Sequence, residues 1–319
     1  MRLITGGSGF LGVALAKKLK ELGHNVIVYD LAKSPKLSDN IDFIKGDILD
    51  YEKLKSVTKG VEIIYHLAAL IPQRRRKEKE MYAVNVEGTK NALNCAVKNN
   101  VKRFVYISSV QVYGKYNGII KEDAKCNPVG FYAKNKLESE KLCFEYFKKY
   151  NLSINILRPP TIIGPGIDDK YVLSMLSIIK NNGILPVIGN GLQKYNAIFI
   201  SDCVEAVILA SENKNNDFEI FNIGCEDVIP YIELIKELKK EFNSKVKVIK
   251  LNKTIVINFL RFLDFLKLSP VEKVYIELSP YSNLMDISKI KNKLGWIPKR
   301  GYLESWKETY KDFLKRDKS

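Results

Sequence analysis

The sequence predicts an α/β protein: a doubly wound parallel sheet filling the first half, followed by a smaller C-terminal lobe. Three observations predict it. Short apolar runs alternate with stretches of helical periodicity as far as Pro159-Pro160. A glycine-rich turn, Thr5-Gly6-Gly7-Ser8-Gly9-Phe10-Leu11-Gly12, follows the first of those runs. Beyond it the alternation holds until residue 160 and then loosens, with Gly164-Pro165-Gly166 and Gly189-Asn190-Gly191 as breakers.

The elements follow in order. Met1 to Thr5 is a strand, and Phe10 to Leu22 a helix with Leu11, Ala14, Leu15, Leu19 and Leu22 at helical spacing. Asn25 to Tyr29 is a second strand ending at Asp30, and Phe43-Ile44 a third before Gly46-Asp47. Ile63 to Leu67, Arg103 to Ile107 and Ile154 to Leu157 are the fourth, fifth and sixth, each reached through a helical stretch. Such an alternation builds parallel strands with right-handed crossovers. The expected division is residues 1–160 for the sheet domain and 161–319 mostly for the second lobe. Residues 218–223 read as a buried strand that returns to the main sheet.

Composition narrows the class. A chain of 319 residues that is 46% hydrophobic and 28% charged can bury a sizeable core. The net charge of +16 allows an anionic partner, but the lysines are interleaved with acids, as in Lys236-Glu237-Leu238-Lys239-Lys240-Glu241. No nucleic-acid readout module accompanies them, so a nucleic-acid partner is not expected. Five cysteines without a C-x-x-C pair read as reduced thiols of a cytoplasmic protein. Glycines interrupt the apolar N-terminus, so a signal peptide is not expected there.

The glycine turn carries the first chemistry. Gly6, Gly9 and Gly12 stand between a strand and the helix opened by Phe10 and Leu11, where backbone can approach a pyrophosphate and helix amides favour its charge. With Asp30 closing the second strand this is a Rossmann-type dinucleotide signature. Asp30 can accept from both adenosine ribose hydroxyls and would repel a 2′-phosphate, which favours NAD over NADP; Lys33 nearby pulls the other way. A loop or capping carboxylate is the plainer role for Asp30. Asp47 is a candidate for the adenine amino group with Ile48 against the ring, or else a turn former.

Tyr132 and Lys136 lie four apart in a helical stretch, which puts phenol and ammonium on one face, one turn apart. A nearby ammonium favours phenolate and is expected to bring the tyrosine towards neutral pH. The pair follows the fifth strand, whose end carries Ser108-Ser109, beside the switch point where such sheets bind ligands. Tyr-x-x-x-Lys by itself is common and usually solvated; position is what singles this pair out. With only His24 and His66 in the chain, neither a histidine acid/base scheme nor a metal site is expected.

Together these residues resemble the extended short-chain dehydrogenases/reductases, of the NAD-dependent epimerase/dehydratase and 3β-hydroxysteroid dehydrogenase group. The resemblance covers nearly the whole chain. It rests on Thr5 to Gly12, Asp47-Ile48, His66-Leu67-Ala68-Ala69, Asn85 to Thr89, Ser108 to Gly114, Tyr132 to Lys136 and Leu157-Arg158-Pro159, with echoes in Phe199 to Ala206 and Leu294 to Pro298. It implies NAD as cofactor and Tyr132 as the base that takes a proton from a substrate hydroxyl. It implies Lys136 on the nicotinamide ribose, lowering the tyrosine pKa, and Ser109 on the reacting oxygen. Leu67, Ala68, Ala69 and Pro159 would line the cofactor, with Asn85 as a polar support. A small-molecule substrate and a helix-mediated homodimer are implied as well.

Departures from the family pattern narrow the reaction. Dehydratases place an Asp-Glu pair where this chain has Val110-Gln111, so dehydration is disfavoured. Nucleotide-sugar members carry Asn where Thr161 stands, Arg where Tyr195 stands beside Lys194, and a second Arg before Met285-Asp286, where none occurs from Glu277 to Leu284. The leading expectation is an NAD-dependent epimerase or dehydrogenase acting on a secondary alcohol, with 4-epimerisation of a nucleotide sugar as the named reaction. The alternatives are oxidation of an apolar, steroid- or isoprenoid-like alcohol, and a dinucleotide-binding regulator that does not turn over.

Two further segments stand out. Thr254 to Leu268 is apolar except for Asn258, Arg261, Asp264 and Lys267, and is too short and too charged to span a bilayer. It reads as a packed helix, a lid over an apolar substrate, or a surface for peripheral membrane contact. Arg74-Arg75-Arg76-Lys77 falls after the fourth strand, as a solvated loop or a site for a diphosphate or acidic headgroup.

Overall fold

The computed structural model describes residues 1–71, 77–116, 118–213, 217–266 and 273–316. Seven strands form one parallel sheet in the spatial order Phe218–Asn222, Ser153–Arg158, Arg103–Ile107, Ile63–His66, Arg2–Thr5, Val26–Asp30, Asp42–Lys45. The chain winds outward from Arg2–Thr5 in one direction, then crosses back to Ile63–His66 and winds the other way. Registers Thr5 with Tyr29, Thr5 with His66, and Ile107 with Leu157 align the strand ends. The loops at Gly6, Leu31, Leu67, Ser108 and Pro159 therefore leave along one edge of the sheet, on either side of the reversal point.

Both sheet faces are apolar, and each is covered by helices. On one face Phe10–Glu21 packs beside Ile200–Glu212, and Leu15, Val28, Val207, Phe221 and Trp296 share a core. On the other, helices Tyr51–Val57, Gly88–Lys98 and Gly130–Tyr150 bury Leu54, Leu93, Cys95, Phe104, Cys143 and Ile154. A separate core in the second lobe joins Ile163, Leu176, Leu185, Leu234, Tyr302 and Trp306.

The division of the chain is more interleaved than a boundary at residue 160. Strand Phe218–Asn222 lies against Ser153–Arg158, and the helix Ile200–Glu212 is a full member of the sheet's first helical layer. The physical reason is coverage: the 12-residue helix Phe10–Glu21 cannot shield a seven-stranded face alone. Trp296, 1% exposed, closes the same layer and donates from Nε1 to the Asp202 carbonyl at 3.1 Å. Three two-stranded pairs tie the second lobe together: Thr161–Ile163 with Ala197–Phe199, Ile184–Ile188 with Lys247–Leu251, and Ile119–Ile120 with Leu284–Met285. All five cysteines are unbridged, and four of them are buried.

Candidate active site

The glycine turn is built by close approach. Gly6 has φ +71°, and a Cβ there would lie 2.5 Å from the Ala68 nitrogen and 2.9 Å from the Leu67 carbonyl carbon, so only glycine lets this turn meet the Leu67-Ala68-Ala69 loop. A Cβ at Gly12 would fall 2.5 Å from the Gly7 Cα, which is what seats the helix on its own turn. Gly9 differs. It is exposed, a Cβ there would meet only the Gly6 oxygen at 3.5 Å, and it caps the helix Phe10–Glu21 with no side-chain acceptor for the first amides. Open backbone beside uncapped helix amides is the cradle a pyrophosphate requires, so these residues fit NAD.

Asp30 stands at the same turn. Its Oδ2 accepts from the Ser8 amide at 2.9 Å and its Oδ1 from the Leu31 amide at 2.7 Å. The plain and the functional roles therefore coexist, because each carboxylate oxygen keeps a second lone pair for a ribose hydroxyl. Lys33 is bound to Asp39 at 2.7 Å. Asp47 is exposed and its Oδ1 accepts from the Leu49 amide at 2.9 Å, as a turn former does. Ile48 is buried below the Gly88–Lys98 helix, where a Cβ on Gly88 would lie 2.7 Å from its Cγ2.

A buried polar strut ties the turn to the loop after the fourth strand. His66 is fully buried, with Nδ1 2.7 Å from Thr5 Oγ1 and Nε2 2.9 Å from Thr89 Oγ1. The Thr89 hydroxyl donates to the Asn85 carbonyl at 2.6 Å, so it must accept from the imidazole. The histidine is therefore the Nε2–H tautomer and accepts from Thr5. Burial, with a smaller contribution from the Lys136 charge, holds its pKa down at about 3, which keeps the ring neutral. Asn85, in the π-helical turn Ala83–Glu87, accepts from the Leu70 amide at 2.6 Å and donates to the Leu70 carbonyl at 3.0 Å. Sequence reasoning placed Asn85 as a polar support but assigned no role to His66.

The fold brings Ser109, Tyr132 and Lys136 together. Ser109 opens the 3₁₀ turn Val110–Tyr113, and its Oγ accepts from the Gln111 amide at 3.2 Å. Tyr132, in the first turn of the helix Gly130–Tyr150, lines the same cleft as Ser109, whose hydroxyl pulls its pKa down. Lys136 is 3% exposed; its Nζ donates to the Ile107 carbonyl at 2.7 Å and lies 5.9 Å from the Tyr132 ring centre and 4.8 Å from that of Tyr106. Behind it Arg158 grips Glu140 through two bonds, Nε to Oε1 at 2.9 Å and Nη2 to Oε2 at 2.6 Å.

Burial pushes Tyr132 up to about 12, in the direction opposite to the one expected from Lys136, and the Ser109 hydroxyl opposes this only in part. The ammonium is held over the ring face by the Ile107 carbonyl, and burial pulls its own pKa down to about 8, opposed by Glu140.

Ser109 and Tyr132 line a cleft of about 660 Å³ between the sheet edge and the second lobe, and Phe10 and Pro159 reach the same space. Its far wall is aromatic, with Tyr171, Tyr195, Tyr231, Tyr281, Tyr302 and Trp306. Tyr195, at the position of the missing arginine, donates to the Ser279 carbonyl at 2.5 Å. Among the described residues the lining includes Asp168 and Asp169 but no lysine or arginine. Ser108 Oγ and Gln111 Oε1 are buried on the wall beside Ser109, without a hydrogen-bond partner among the described residues. Sequence reasoning named both positions but assigned neither an open hydrogen-bonding atom, because burial without a partner is visible only in three dimensions. Among the described residues there is no cluster of three His, Cys, Asp or Glu able to hold a metal. Lys77 precedes the helix Glu78–Tyr82, and Arg74, Arg75 and Arg76 lie outside the described residues.

Comparison with known proteins places the chain among relatives. The family described as the NAD dependent epimerase/dehydratase family matches residues 2–224. An uncharacterized protein of Sinorhizobium fredii is 33% identical over 97% of this chain and 77% of its own length. A UDP-N-acetyl-alpha-D-glucosaminuronate decarboxylase of Bacillus cytotoxicus is 30% identical over 98% of this chain and 97% of its own. The solved UDP-glucose 4-epimerase of Thermotoga maritima with UDP-glucose superposes with a TM-score of 0.83 at 26% identity, over 99% of both chains. These matches show that this chain belongs to the NAD dependent epimerase/dehydratase family and is an NAD-dependent enzyme of the extended short-chain dehydrogenase/reductase type.

Proposed function

We propose that the chain catalyses NAD-dependent oxidation at a secondary alcohol in the 660 Å³ cleft, with 4-epimerisation of a nucleotide sugar as the reaction. The observation that carries this reading is that Ser109 and Tyr132 line one cleft, at the sheet edge that also presents the glycine turn. Bound NAD supplies the hydride acceptor. Ser109 Oγ holds the substrate oxygen while the Tyr132 oxygen takes the hydroxyl proton, and it returns that proton when the ketone is reduced from its other face. Lys136 places its charge under the phenol and stabilises the phenolate formed in that step. Gly6, Gly9, Phe10, Leu11 and Gly12 seat the pyrophosphate. Asp30 takes the adenosine ribose, Asp47 and Ile48 border the adenine, and Leu67, Ala68, Ala69 and Pro159 flank the rest of the cofactor. Val110-Gln111 offers no carboxylate for elimination of water, which favours epimerisation over dehydration.

The aromatic wall supports a second reading, oxidation of an apolar hydroxy substrate, because the described lining has no cation to meet a diphosphate. A binding-only regulator has no need of the Ser109, Tyr132 and Lys136 arrangement. A cytoplasmic homodimer is part of the proposal, supported by the unbridged cysteines and by Phe144 and Tyr150, 46% and 44% exposed on the Gly130–Tyr150 helix.

Thermal melts with NAD present, comparing UDP, dTDP and a steroid, test the substrate class. A ligand at a hundred times its dissociation constant adds about 2.7 kcal/mol of stability. Stabilisation by a nucleoside diphosphate supports the epimerase; stabilisation by the steroid alone replaces it with the apolar alcohol. Tyr132→Phe is expected to abolish turnover with NAD affinity retained, and surviving activity would remove Tyr132 as the base.

A further inference from the structure

We propose that the helix Lys253–Phe265 is a docking face for an anionic lipid surface, lying flat on the bilayer beside the mouth of the cleft. The helix is apolar on two sides. Val256, Ile257, Leu260 and Leu263 are half-buried on one side, and the helix packs there on Lys273–Leu278. On the other side Ile255, Phe259, Phe262 and Leu266, at i, i+4, i+7 and i+11, form one stripe with Phe265 next to it. These are 69%, 58%, 57%, 44% and 82% exposed. A run of five large apolar side chains on one solvent-facing stripe is a contact surface and not scatter.

Charge identifies the occupant. From Ser244 to Leu266 the chain carries Lys245, Lys247, Lys250, Lys253 and Arg261 against the single carboxylate of Asp264. Lys247 and Lys250 are exposed on the strand Lys247–Leu251, which runs into the helix through Asn252 alone. Asn252 caps the helix, accepting from the Thr254 and Ile255 amides at 3.0 and 3.2 Å. Exposed Lys247 and Lys250 on the strand that leads into an apolar stripe, on a chain of net charge +16, match acyl chains under anionic headgroups. Thirteen helical residues span about 20 Å against about 30 Å of hydrocarbon, and no helix among the described residues is long and apolar enough to cross a membrane. The face therefore lies on the surface.

The placement couples this face to the site. Leu278, at the end of the helix that supports the stripe, lines the cleft. On the same helix Val274 lies 3.3 Å from where a Cβ on Gly130 would sit, at the start of the helix carrying Tyr132, and Lys115 is paired with Glu277 at 2.5 Å. The helix that supports the stripe thus also borders the cleft.

The test is co-sedimentation of the full chain with phosphatidylcholine vesicles, with and without about a third phosphatidylglycerol. Binding is expected to the anionic vesicles and to weaken as salt is raised. Phe259→Ser with Phe262→Ser, at exposed positions, is expected to lower binding at least about tenfold with an unchanged melting temperature. Lys247→Gln with Lys250→Gln is expected to remove most of the preference for anionic lipid. The proposal is overturned if the parent chain pellets with neither vesicle, or if the phenylalanine variant binds as the parent does. It is equally overturned if that variant instead converts a non-binding dimer to monomer, which would make the stripe a subunit contact. None of these outcomes depends on the reaction proposed above.

Discussion

Replacing Gly6 by alanine tests whether the close approach of turn and loop shapes the proposed NAD site. An L-residue at φ +71° costs about 1–2 kcal/mol of backbone strain, and the new methyl group would sit 2.5–2.9 Å from main-chain atoms of Leu67 and Ala68. Main chain cannot swing aside as a side chain can, so overpacking adds about 1–3 kcal/mol. Reduced freedom of the unfolded chain returns about 0.4–1 kcal/mol. The net loss is about 3 kcal/mol. Gly23 is the matched control, with φ +83° and nothing within 4 Å of its Cβ position. There strain and unfolded-state gain nearly cancel, leaving about 1 kcal/mol or less. At roughly 2.1 cal/mol/K per residue, unfolding 319 residues carries about 0.7 kcal/mol/K, so Gly6→Ala should lower Tm by about 4 K and Gly23→Ala by about 1 K. Calorimetric titration should show NAD affinity lost in the first and kept in the second. If both variants melt together and Gly6→Ala binds NAD normally, the close approach of turn and loop is not what shapes the cofactor site.

Three further outcomes follow from buried groups. The folded pKa of Lys136, about 8 against an ordinary 10.5, means that its charge opposes folding fully below pH 8 and that the opposition fades as pH rises towards 10.5. Lys136→Met should therefore gain stability relative to the parent at pH 7, by an amount of order 3 kcal/mol before the lost Ile107 bond is counted, and urea melts should show that gain shrinking by pH 10. Arg158→Met leaves Glu140 buried without its partner and should cost about 3–5 kcal/mol, most of it recovered by adding Glu140→Leu; calorimetry of the single and double variants checks this. Gln111→Ala removes an acceptor that the described residues leave unpaired, so Tm should move little while KM rises about tenfold, and an unchanged KM would show that the amide does not meet substrate.

The sequence by itself determined the α/β class, the glycine turn, the acid at Asp30 and the pairing of Tyr132 with Lys136. Each depends on backbone preference or periodicity within a few residues: a glycine where φ is positive, apolar positions at strand or helix spacing, two side chains one helical turn apart. Residues 218–223 were legible as a strand for the same reason, whereas the helix Ile200–Glu212 gave no local sign of which layer it would join. Only the tertiary structure decided the rest. The His66 tautomer depends on Thr5 and Thr89, far apart in the chain, and the grip on Leu70 depends on Asn85. The high Tyr132 pKa comes from the packing around it. The cleft takes its wall from residues as distant as Phe10 and Trp306. Desolvation, hydrogen-bond satisfaction and cavity shape are sums over atoms that folding brings together, so no local stretch of sequence contains them.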